Sequence, residues 1–65
     1  MASAELLEYE IVVAVTDSAA LLRSPDGAET WFPFSLCPDL EGVEKGDGPD
    51  EFECPKWKAE QEGWA

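Results

Sequence analysis

Tyr9-Glu-Ile-Val-Val-Ala-Val-Thr16 (YEIVVAVT) decides the fold class. Its β-branched residues fit a pleated surface, so the run reads as a strand. Alternation puts Tyr9, Ile11, Val13 and Val15 on one face and Glu10, Val12, Ala14 and Thr16 on the other. Working outward, Asp17-Ser18 suits a turn and Ala19–Ser24 a second short strand. Pro25-Asp26-Gly27 is a strong turn signal, because Pro fixes φ and Gly supplies φ > 0. Glu29–Phe34 then reads as a third strand, with Trp31 on one face and Phe32 and Phe34 on the other. At least one of these rings is therefore expected outside the main core.

On the N-terminal side, residues 1–4 are expected to fray, and Glu5–Glu8 reads as a turn or the lead into a strand. The segment Ser35–Pro49 is punctuated by Pro38, Gly42, Gly46, Gly48 and Pro49 and reads as irregular. Asp50–Cys54 reads as a fourth strand, with Phe52 and Cys54 inward and Glu51 and Glu53 outward. Pro55 suits the first position of a helix over Lys56–Glu62, ended by Gly63. The expected fold is mainly β in the α+β sense. It is a small bent antiparallel sheet or partial barrel of about four strands with a short C-terminal helix, in a single domain spanning 1–65.

A chain of 65 residues buries only about 60% of the surface it exposes when unfolded. Its 45% hydrophobic content and seven large aromatic rings favour a folded core over a disordered tail. The charge is the outlier. Fifteen Asp and Glu face four Lys and Arg with no His, for a net charge of −11. That excludes the Lys/Arg complement that neutralises phosphates, so direct nucleic-acid binding is not expected. Docking on an anionic membrane is disfavoured for the same reason. The expected partner is a basic, DNA-binding protein surface, and the protein itself is expected to be a monomer.

No leader-like segment is legible near the start, and the longest apolar run, Ile11–Val15, is far below the roughly 20 residues of a membrane-spanning helix. A cytoplasmic protein is expected. Cys37 and Cys54 are then expected as reduced, buried thiols acting as small hydrophobes. Sixteen residues lie between them, which rules out a C-x-x-C motif, and two Cys without His cannot close a four-ligand zinc site. The sequence gives no case for an enzyme. Serines have no His partner, and the carboxylates sit in a chain too short to wall off a cleft with two of them inside. No cofactor is expected.

The candidate site is acidic. Between Asp39 and Glu53 stand Asp39, Glu41, Glu44, Asp47, Asp50, Glu51 and Glu53, against Lys45 alone; seven acids and one base leave −6 over fifteen residues. Glu8 and Glu10 repeat the alternation of Glu51 and Glu53 on another segment. Carboxylates two residues apart on a strand lie about 6.7 Å from one another. Double-stranded DNA carries one charge per roughly 1.7 Å of axis. A rigid sheet bearing such carboxylates can imitate a run of phosphates, or it can simply be a solvated acidic face. A calcium loop is a weaker reading, because neither Asp39-Leu-Glu41 nor Asp47-Gly-Pro-Asp50-Glu51 matches the EF-hand spacing.

Trp31-Phe-Pro33-Phe-Ser35 followed by Pro55-Lys-Trp57 and a late Gly63 resembles the W-x-P-x-S … P-x-W pattern of small phage and mobile-element β proteins. The resemblance covers about two-thirds of the chain. It implies a compact β fold with Trp31 and Trp57 as core rings, Pro33 at a strand end, Ser35 capping the following turn, and a phage setting. The two Cys-Pro pairs and the greater acidity depart from that pattern. The composition, separately, is similar to that of acidic phage inhibitors that mimic DNA, including anti-CRISPR and anti-restriction proteins. Membership would make this chain an inhibitor of a host DNA-binding defence complex, such as a CRISPR effector. The alternative is a phage accessory or adaptor module that binds its partner through an aromatic surface.

Overall fold

Glu10 divides the run that opens the sequence reading. In the computed structural model, which describes residues 3–64, strand β1 (Ala4–Tyr9) stops at a bend on Glu10 and β2 (Ile11–Val15) begins beyond it. Strands β3 (Ala19–Arg23), β4 (Glu29–Pro33) and β5 (Asp50–Pro55) follow, and helix α1 (Lys56–Gln61) closes the chain. Five strands form two antiparallel sheets, β1-β5 and β2-β3-β4. The mainly β reading with a C-terminal helix is correct. The single strand expected over 9–16 is two, and each belongs to a different sheet. Ala4, expected to fray, opens β1 opposite Pro55; Met1 and Ala2 lie outside the described residues.

The facing of β2 also differs from simple alternation. Val12 is fully buried, whereas Val15 is 39% exposed. A bulge between Val12 and Ala14 shifts the register against β3, which breaks the two-residue period. On the ribbon, Leu7, Tyr9, Phe52 and Cys54 turn inward. They meet Val12, Ala20, Leu22 and Phe32 from the second sheet, together with Cys37, Leu40 and Ala59. Aromatic edges join the layers: the Phe32 ring centroid lies 4.9 Å from Phe52 and 4.9 Å from Trp64, both edge-on, while within the ribbon Tyr9 lies tilted against Phe52 at 5.9 Å. Such edge-to-face pairs add to the area term.

The tryptophans correct the expectation drawn from the phage-type pattern. Trp31 is 45% exposed and Trp57 56% exposed. Trp31 stands opposite in parity to buried Phe32, and α1 turns Ala59 inward instead of Trp57. Trp64 is the ring that reaches the core. Its backbone N–H donates to the Ala59 carbonyl at 2.8 Å and its indole N–H to Thr30 Oγ1 at 3.0 Å. Pro33 does end β4, but the turn beyond it is closed by the Leu36 and Cys37 amides donating to the Pro33 carbonyl, not by Ser35.

Two sheet edges are shut by the chain itself. Along β2, the Val12 amide donates to the Asp47 carbonyl and the Gly46 amide to the Val12 carbonyl, both at 2.8 Å. Along β5, the Glu51 amide donates to Asp50 Oδ1 at 2.8 Å and the Glu53 amide to Asp39 Oδ2 at 3.0 Å. The irregular segment thus has a job: its 3-10 turn (Pro38–Leu40) anchors on buried Leu40, and its far end seals β2. Gly48 makes this approach possible. A Cβ there would stand 2.6 Å from the Glu10 carbonyl oxygen, and its φ of +122° is one that side-chain-bearing residues rarely adopt. Among the described residues no helix is long and apolar enough to cross a membrane.

Candidate functional site

The antiparallel register of the ribbon sets the site. Glu8 stands directly opposite Glu51, and Leu6 opposite Glu53. Since Leu7 and Phe52 face the core, Glu8, Glu51 and Glu53 share the solvent face with 60%-exposed Leu6. Opposed residues of this kind hold their Cβ atoms about 4.5–5.5 Å apart, so the Glu8–Glu51 pair is repulsive. The bend places Glu10 beside this face. Its amide donates to the Arg23 carbonyl at 2.7 Å, which ties it to the end of β3.

The nine predicted site residues are all exposed, but they fall into three groups. Glu8, Glu10, Glu51 and Glu53 gather on or beside the ribbon. Asp39, Asp47 and Asp50 are committed to the backbone: Asp39 caps the Glu53 amide, Asp50 the Glu51 amide, and Asp47 Oδ2 accepts from the Glu44 amide at 2.8 Å. Glu41 and Glu44 lie on the loop that leads to the β2 edge. The acidic stretch read as one segment is therefore part surface and part structural capping.

Glu8, Glu10, Asp50 and Glu51 line an open cleft of about 520 Å³, walled by Tyr9, Pro25 and Pro49. Pro25 and Tyr9 were legible only as a turn residue and a strand residue. It is the bend at Glu10 that brings the β3–β4 turn against the ribbon. Tyr9 is 4% exposed. Burial raises its phenol above the usual range, and the negative charges of Asp50 and Asp47 add to that.

Cations do not neutralise this face. Among the described residues Arg23 pairs with Glu29 at 2.9 Å and Lys58 with Glu62 at 2.6 Å, and none of the nine carboxylates joins an ion pair. No group of three or more described Cys, Asp or Glu residues converges to hold a metal ion. The two thiols are neighbours in the core. Burial pushes Cys37 up to about 12, with the adjacent Cys54 contributing, and burial also raises Cys54. Both are therefore protonated near neutral pH and not poised as nucleophiles.

Comparisons with protein-family models, curated proteins and solved structures find no match to this chain.

Proposed function

We propose that the protein is a small phage-type inhibitor whose carboxylate ribbon occupies a Lys- and Arg-lined, DNA-binding channel of a host defence complex, such as a CRISPR effector. The observation that carries this reading is the in-register pairing of Glu8 with Glu51, continued by Glu53 and Glu10 with no counter-cation among the described residues. A like-charge pair held in a sheet is unfavourable by itself and becomes favourable against a basic surface, where steering speeds capture. The phage setting and the host cytoplasm as its place of action rest on the W-x-P-x-S … P-x-W resemblance and the acidic composition.

The test is capture of basic proteins from a bacterial lysate at low and high salt, with wild type and with a Glu8→Gln, Glu10→Gln, Glu51→Gln, Glu53→Gln variant. These four positions carry no backbone cap, so the fold is kept. Capture that is steeply salt-dependent and absent in the variant supports mimicry. Full capture by the folded variant removes the ribbon from the mechanism. The adaptor reading has its own observation in the exposed rings of Trp31 and Trp57. It calls for capture that salt barely weakens and that Trp31→Ala or Trp57→Ala abolishes.

A further inference from the structure

Cys37 and Cys54 are free thiols, both buried, and they meet inside one core. Their side chains are hydrogen-bonded to each other, and the Cys54 thiol also donates to the Pro55 carbonyl at 3.5 Å. The backbone on both sides is pinned. The Cys37 amide donates to the Pro33 carbonyl, and the Cys37 carbonyl accepts from the Leu40 amide, both at 3.0 Å. Cys54 is held in β5 opposite Glu5. Beside the pair, Asp39 Oδ2 accepts from the Glu53 amide at 3.0 Å, which ties the Pro38–Leu40 turn to the strand. A cavity of about 200 Å³ opens between the two segments, with Pro38 and Asp39 on one side and Glu53 and Cys54 on the other.

We propose that Cys37 and Cys54 form a disulfide site, closed by exchange with a small-molecule disulfide such as oxidised glutathione, which staples the Pro38–Leu40 turn to β5. The site stands apart from whatever the acidic face binds. Cys54 lines the cavity and reacts first. As a thiolate it attacks one sulfur of the oxidant, breaks that S–S bond and releases one glutathione thiolate. Cys37 then gives its proton to solvent and attacks the Cys54 sulfur, and the second glutathione thiolate leaves. The two protein thiols lose two electrons, the oxidant gains them, and the two protons end on glutathione. Burial raises both thiols, so exchange is slow near neutral pH and faster in alkali. The same burial shields the finished bond from reducing thiols. Sixteen residues lie between the two cysteines, so the bond removes loop-closure entropy from the unfolded chain. It also fixes both ends of the acidic segment.

The test incubates the reduced full chain with oxidised and reduced glutathione at about pH 8.5, where an exposed thiol is half ionised. Remaining thiols are then alkylated in denaturant and the products weighed by mass spectrometry. The expected product is a monomer lighter by two hydrogen atoms that takes up no alkylating agent. Its melting temperature should lie more than about 10 °C above that of the reduced protein and return to the reduced value once the bond is cleaved in denaturant and the chain refolded with reductant. Cys37→Ser should stop at the Cys54–glutathione adduct and gain no such stability. The wild-type comparison decides the matter even where a variant fails to fold. The assignment is overturned if both wild-type thiols stay open to alkylation, if the products are glutathione adducts or disulfide-linked dimers only, or if the intrachain bond forms and the melting temperature is unchanged or lower. An equal rise in Cys37→Ser under the same treatment would overturn it as well.

Discussion

Glu8 and Glu51 face each other across the β1–β5 ribbon, two carboxylates in register on its solvent side. Sheet stability is built from such cross-strand pairs, and this one opposes it. Glu8→Lys converts the repulsion into an ion pair. A gain of about 1 kcal/mol is expected, which for a domain of this size raises the melting temperature by roughly 4–8 °C. Added salt should stabilise wild type more than the variant, since screening relieves what the substitution removes. An unchanged or lower melting temperature in Glu8→Lys would show that the pair stores no repulsion.

The exposed tryptophans and the buried rings should separate cleanly. Trp31→Ala and Trp57→Ala remove partly solvated rings and should each cost under about 1 kcal/mol, close to the range of ordinary surface changes. Phe32→Ala or Phe52→Ala empties a fully buried site in the aromatic cluster and should cost about 3–5 kcal/mol. Urea unfolding midpoints of the four variants decide this. A collapse of either tryptophan variant would return that ring to the core.

Alkali should unfold the protein. Cys37 is held up to about 12 from an unfolded value of 9.0, and Cys54 and Tyr9 are raised as well. For a group whose folded value lies above its unfolded one, the stabilisation is complete below the unfolded value and is lost as pH climbs to the folded one. Stability should therefore be flat up to about pH 9 and then fall toward about pH 12, by about 1.4 kcal/mol per pH unit for each group in its window. Cys37→Ala should lower the plateau and make the alkaline slope shallower. A wild-type urea midpoint that does not move between these limits would contradict the burial of the thiols.

Gly48→Ala should be the most damaging glycine substitution. The new methyl meets the Glu10 carbonyl oxygen at 2.6 Å at a φ of +122°, so steric overlap adds to conformational strain and a loss above about 2 kcal/mol is expected. Gly27→Ala, at φ +96° with nothing within 4 Å, should cost only about 1–2 kcal/mol. Thermal melts of the two variants give the comparison. Equal losses would mean that the loop gives way around the added methyl.

The elements that follow local rules were readable in advance. The β3–β4 hairpin was announced by Pro25-Asp26-Gly27, β5 by its alternation, and α1 by Pro55 and Gly63. Pro55 is the residue before the helix and not its first member. Glu10 was not readable as a break, because the β-branched run continues past it and only the pairing of β1 with β5 gives β1 a separate sheet. The register that sets Glu8 against Glu51 joins opposite ends of the chain, and no local pattern encodes it. The acidic site was legible as composition. Its division into ribbon glutamates and capping aspartates depends on which amides each strand leaves unpaired. The tryptophan misassignment came from the W-x-P-x-S … P-x-W resemblance, where strand parity at Trp31 and helix facing at Trp57 decide burial.

The carboxylate caps of Asp39 and Asp50 bear on how the protein behaves when crowded with its own copies. An open strand edge is a template for fibril growth, and charge on or beside it is a common defence. Here the caps block the β5 amides from growth, and the net charge of −11 keeps copies apart. The charge vanishes at pH about 4.1. Near that pH the repulsion between molecules is gone, and exposed Leu6 and Trp31 mark where aggregation would begin. The acidic residues therefore also set the range of pH in which the protein can be stored at high concentration.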